Sequence, residues 1–99
     1  MILYNISLIV EDSSREELLA WLKTNLQQTS YDIRFLKMLD SPHEGTTYCL
    51  QFVAPDERVL QSFQDNILSK IQAYIVTNHP EKVFIFDSKM KYLAFTEGE

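Results

Sequence analysis

The order in which hydrophobic periodicity changes along this chain constrains its fold more than any other feature. Alternation of period two opens the sequence and gives way to helical spacing. Two further alternating stretches, a second helical stretch and a final alternating one follow. The order strand, helix, strand, strand, helix, strand specifies an α+β sandwich of the ferredoxin-like βαββαβ kind, a four-stranded antiparallel sheet with two helices on one face. Right-handed crossovers place the first and third strands in the centre, in the sheet order four-one-three-two.

The first strand covers about Ile2 to Glu11. Tyr4, Ile6, Leu8 and Val10 share the face that helices must cover, and Leu3, Asn5, Ser7 and Ile9 share the other. Ser13 or Ser14, with Glu16 or Glu17 three residues on, reads as a capping box opening the first helix. Leu18, Leu22 and Leu26 form its apolar stripe. Tyr31 to Asp40 reads as the second strand, with Leu36 and Met38 on one face and Ile33, Phe35 and Leu39 on the other. The turn signal Ser41-Pro42-His43-Glu44-Gly45 leads into the third strand, Thr46 to Ala54.

Pro55 suits the first turn of the second helix, where Asp56 and Glu57 complement the dipole. Its stripe is Leu60, Phe63, Ile67, Ile71 and Tyr74, and Asn78-His79-Pro80 ends it. The last strand begins near Lys82, with a bulge or bend expected near Asp87. The predicted core comprises Ile6, Leu8, Leu22, Leu50, Phe52, Phe63, Ile67 and Ile71.

A chain of 99 residues, with two glycines and three prolines, reads as one domain over residues 1–99. The net charge of −5 argues against a nucleic-acid partner, because such affinity rests on Lys and Arg neutralising phosphates. Lys82, Lys89 and Lys91 read as a solvated strand face. The single cysteine, Cys49, can form no intrachain disulfide. No apolar run is long enough to span a membrane, and the alternating N-terminus reads as a strand rather than a signal peptide. The expected location is cytoplasmic.

With both helices on one side, the other sheet face is left uncovered. Asn5 and Ser7 meet Thr47, Cys49 and Gln51 there. Leu3, Ile9, Val53, Leu36, Met38 and one phase of Val83 to Phe86 surround them, and Arg34 stands at one end. A polar centre in an apolar ring suits a self-complementary dimer interface or the lining of a small-ligand pocket. Its amides and hydroxyls form hydrogen bonds, and the guanidinium holds a carboxylate. The candidate ligand-binding residues are therefore Asn5, Gln51, Thr47, Cys49 and Arg34.

No catalytic set emerges. His43 and His79 each lack a second histidine at ligand spacing, so no metal site and no cofactor is expected. Cys49, in mid-strand, reads as a small apolar filler. Glu16, Glu17, Asp56 and Glu57 read as helix-start acids. Trp21, Phe63, Tyr74, Phe84 and Phe86 read as core.

The opening Met1-Ile2-Leu3-Tyr4-Asn5, Trp21-Leu22, Phe35 to Leu39 and above all Gly45-Thr46-Thr47-Tyr48-Cys49-Leu50-Gln51-Phe52 resemble a bacterial family of small uncharacterised proteins, domain of unknown function 4286. The resemblance implies a ferredoxin-like domain of about this length and no assigned activity. Asn5 and Gln51 are its matching polar positions. The family's longer segment after the tryptophan, with His-Ile-Pro and a glycine, has no counterpart in Lys23 to Arg34. Phe86-Asp87-Ser88 stands where the family resembles Phe-Arg-Thr. The functional expectation is a non-catalytic, homodimeric interaction or small-ligand-binding module. The alternative is a small enzyme of the dimeric α+β barrel type, acting on a hydrophobic small molecule.

Overall fold

The structure, a computed structural model, describes residues 1–40, 42 and 44–96. β1 (Ile2–Val10) alternates in burial as it does in hydropathy: Tyr4, Ile6, Leu8 and Val10 are fully buried, and Leu3, Asn5, Ser7 and Ile9 half-buried. β3 (Thr46–Ala54) and β4 (Val83–Lys91) flank it, both antiparallel, and the short β2 (Arg34–Lys37) lies outside β3. The sheet order is β2-β3-β1-β4, as the crossover argument requires.

α1 (Asp12–Leu26) buries Ser14, Leu18, Leu22 and Leu26. The second helix runs from α2 (Glu57–Phe63) through a π-helical turn (Gln64–Leu68) into α3 (Ser69–Asn78). The π turn has a physical reason in the stripe. Phe63, Ile67, Ile71 and Ile75 are all buried at four-residue steps, which overrun the 3.6-residue α turn. One wider turn takes up the excess and keeps the stripe on the sheet.

The eight predicted core residues are all buried. Phe63 is their hub. It stacks on Phe52, with ring centroids 4.4 Å apart, and receives Tyr4 and Tyr31 edge-on at 5.9 and 5.1 Å. Such pairs add about 0.5–1.5 kcal/mol beyond the area they bury.

Several local expectations are corrected. β2 spans four exposed residues, not Tyr31 to Asp40. Tyr31 turns inward instead, ring against Phe52 and Phe63, hydroxyl bonded to Ser62 and Asn66 of the second helix. The capping box at Ser13 or Ser14 is absent. The helix starts at Asp12 after an extended Glu11, whose carbonyl takes the Ser14 N–H, and Ser14 itself faces inward. Pro55 precedes the second helix, and Asp56 caps it by accepting the Val59 N–H at 2.9 Å.

β4 has no bulge at Asp87, because its pairing to β1 continues unbroken from Val83 to Lys91. Phe84 and Phe86 are not core: they are 53% and 59% exposed on the face opposite the helices.

Candidate functional site on the open sheet face

The strand register arranges the helix-free face in rows. Ser88, Asn5, Gln51 and Arg34 line up across all four strands. On one side follows the row Phe86, Ser7, Cys49 and Leu36. Beyond it lies Phe84, Ile9 and Thr47, with the Met38 N–H donating to the Thr47 carbonyl at 2.8 Å. On the other side of the polar row sit Met90, Leu3 and Val53. The polar residues therefore form a band with an apolar field at each end.

Hydrogen bonds link the band. Gln51 Nε2 donates to Asn5 Oδ1 at 3.1 Å, Asn5 Nδ2 donates to Ser7 Oγ at 2.9 Å, and the Ser7 hydroxyl lies 3.7 Å from the Cys49 thiol. A primary amide carries two donor protons and a carbonyl oxygen with two lone pairs, so single bonds within the string leave capacity for a ligand. Arg34 stands at the β2 edge, opposite Gln51, with its side chain 76% exposed and 3.7 Å from Asp32. An exposed pair of that kind contributes at most about 1 kcal/mol, so a ligand anion competes with it readily. Thr47 is only 3% exposed and belongs to the floor of the face.

Asn5, Gln51, Cys49 and Arg34 thus share two adjacent rows, with Thr47 in the next. Around them Leu36, Met38, Val53, Phe84, Phe86 and Met90 are 41–59% exposed. An antiparallel sheet that wets one face normally shows polar side chains there. Contiguous exposed apolar groups of this extent are uncommon on the surface of a monomeric protein.

Two features escaped the sequence. His79, 2% exposed, joins the Ser14 hydroxyl through Nδ1 and the Tyr74 hydroxyl through Nε2, each at 3.0 Å. Tyr74 in turn stacks on Trp21 with centroids 4.2 Å apart. This set clasps the start of α1 to the end of α3. Burial, and then the charge of Glu17, raise the Tyr74 pKa above its ordinary 10.0. The serine lies 65 residues from the histidine, so no local motif announces the pair.

The second is a cavity of about 410 Å³ between α1 and β2, on the helix side, with Leu22, Tyr31, Phe35 and Leu50 in its walls. His43, weighed above as a metal ligand, lies outside the described residues. Among the described residues, no group of three or more His, Cys, Asp or Glu side chains is placed to hold a metal ion. None of the described helices is long and apolar enough to cross a membrane.

The family model of the domain of unknown function DUF4286 matches residues 1–93, which take in β1, the hairpin glycine, β3 and all of β4. The chain belongs to the DUF4286 family. No functionally curated protein matches it. Among solved structures, this DUF4286 chain is similar to a dabb family protein with a ferredoxin-like fold from Mesorhizobium loti. The TM-score is 0.59 at 10% identity, over 95% of this chain and 100% of that one. A protein of unknown function from Nitrosomonas europaea follows at TM-score 0.52 and 14% identity, covering 98% and 96%. The de novo designed protein Foldit4 gives TM-score 0.59 at 9% identity, covering 93% and 98%. Identities this low speak to the fold alone: it is ferredoxin-like, and its function resides in side chains rather than in topology.

Proposed function

We propose that this DUF4286 chain is a non-catalytic homodimeric module whose open sheet face packs on a second copy and holds a small polar or anionic molecule in its central band. The observation that carries the reading is the hydrogen-bonded string Gln51–Asn5–Ser7 beside Cys49, set between two exposed apolar fields on one sheet face. Two copies of such a face, related by a two-fold axis, bring apolar field against apolar field and enclose the polar band. An isologous contact is the commonest way for identical chains to hide one patch.

The chemistry of the band suits binding. Asn5, Gln51 and Ser7, above the buried Thr47, offer neutral donors and acceptors, and Arg34 offers a planar cation matched to a carboxylate or sulfonate. General acid–base work calls for a group titrating near neutrality within hydrogen-bond reach of the reacting atoms, and these side chains do not supply one. We assign the chain a cytoplasmic location, in keeping with a single cysteine that can form no intrachain disulfide.

The test is titration with 8-anilinonaphthalene-1-sulfonate, an apolar body carrying one sulfonate, followed through the side-chain NH₂ resonances of Asn5 and Gln51. Those signals are expected to shift saturably, and the double variant Asn5→Leu, Gln51→Met is expected to lose binding while still folding. Shifts confined to the cavity between α1 and β2 would place the ligand elsewhere.

A further inference from the structure

The two edges of the sheet differ. β2 is a four-residue edge, too short to template much pairing. β4 is a nine-residue edge with no bulge, and neither proline nor glycine interrupts it. Proteins usually blunt such an edge with bulges, prolines or charges. Here the only charges are Asp87, Lys89 and Lys91, and their spacing points to a use. The Glu11 N–H donates to the Lys82 carbonyl at 3.0 Å and the Tyr92 N–H to the Met1 carbonyl at 3.3 Å. Even-numbered backbone groups of β4 therefore turn toward β1. The odd ones, from Val83 to Lys91, point to the open edge, as alternation in an antiparallel ladder requires.

We propose that β4 pairs edge to edge with the β4 of a second copy, antiparallel about a two-fold axis at Ser88, fusing two four-stranded sheets into one of eight strands. This register sets Asp87 opposite the partner's Lys89, and by symmetry Lys89 opposite the partner's Asp87, in hydrogen-bonded positions. On the open face it sets Phe86 against Met90 and Phe84 against Tyr92, each pair occurring twice. Those four side chains are 44–59% exposed in the single chain, and opposite charges and apolar or aromatic pairs are the combinations that stabilise neighbouring strands.

Neighbouring registers fail on charge. An axis at Asp87 faces that carboxylate with its own copy, and an axis at Lys89 does the same with the ammonium. Lys89 sits 3.6 Å from Glu57 and Asp87 accepts from Tyr4, but both acids and the lysine stay exposed enough to gain a partner. The contact leaves the open face uncovered, so it is independent of the face-to-face dimer. Both together close a dihedral tetramer where the two axes meet at right angles, and an open assembly where they do not.

Antiparallel residues in a non-hydrogen-bonded pair have Cα atoms about 4.5 Å apart, within disulfide reach. In a Cys49→Ser background, Ser88→Cys is expected to form an interchain disulfide under mild oxidation at least tenfold faster than Met90→Cys, whose symmetry mate is out of reach. The preference should persist when Ile9→Asp removes the face contact, so the two interfaces fail separately. Independently, Asp87→Lys and Lys89→Asp should each weaken self-association through this edge, while an equimolar mixture forms a one-to-one heterodimer with both charge pairs restored. Equal oxidation at positions 88 and 90, or no cross-link at either, overturns the proposal. So does a pair of folded charge variants that do not combine.

Discussion

The Tyr4 hydroxyl donates a 2.6 Å hydrogen bond to Asp87 Oδ2, joining the third residue of β1 to the middle of the edge strand β4, 83 residues later. Tyr4 is fully buried and Asp87 exposed, so a phenol in the core directs its O–H at a carboxylate on the rim. Burial first, then that bond, push the phenol from its ordinary pKa of 10.0 up to about 12. The folded state therefore holds the Tyr4 proton more tightly than the unfolded chain. Its stabilisation is complete below pH 10 and is lost as pH rises from there through about 12. Denaturant midpoints measured across that range should fall with pH, and Tyr4→Phe should flatten the fall. At neutral pH the variant should lose only about 0.5–1.5 kcal/mol, because Asp87 can rehydrate. An alkaline decline unchanged in Tyr4→Phe would assign it to other groups.

Phe63 touches three aromatic rings from three different segments. Phe63→Ala should cost about 3–5 kcal/mol in chemical denaturation, the scale for a buried aromatic whose cavity cannot collapse. A loss below about 1 kcal/mol would mean that the helix carrying it is free to repack.

Ser14→Ala leaves His79 Nδ1 in a buried site without its hydroxyl partner. The expected loss is about 1–3 kcal/mol, the desolvation cost of an unpaired buried polar group. Ser14→Thr should restore much of it. Equal stability of Ser14→Ala and the parent would show that the clasp adds nothing beyond packing.

Gly45 has φ of +80°, and a Cβ built on it would lie 2.3 Å from the Val10 carbonyl oxygen. Both the left-handed backbone and the closeness of β1 demand glycine. Gly45→Ala should cost more than the roughly 1–2 kcal/mol of a left-handed residue alone, since backbone rather than a pliable side chain must move. Thermal unfolding reads this directly, and a shift of Tm within error of zero would contradict the turn geometry.

The parts of the fold visible in the sequence are those set by strict periodicity. β1 and β3 alternate cleanly, and pairing them in phase already puts Asn5 beside Gln51 and Ser7 beside Cys49. The parts that escaped depend on contacts between distant segments. Tyr31 belongs by pattern to a strand, yet the second helix captures its ring and hydroxyl, and β2 shrinks accordingly. Ser14 looks like a cap residue but is taken by His79. Phe84 and Phe86 look like core because aromatic residues usually are. Only the register of an edge strand reveals that their phase is the open face. The edge position of β4 is itself a product of topology, so its self-complementary charges carry no meaning until the sheet order is known.

The central claim is that the open face meets its own copy. An isotope-filtered nuclear Overhauser experiment on an equal mixture of ¹³C-labelled and unlabelled chains tests it most directly. Intermolecular cross-peaks are expected at the methyls of Leu3, Ile9, Leu36 and Val53, and Ile9→Asp is expected to abolish them without unfolding the protein. Intermolecular contacts confined to β4, or none at concentrations where the chain sediments as a monomer, would contradict the face-to-face assembly.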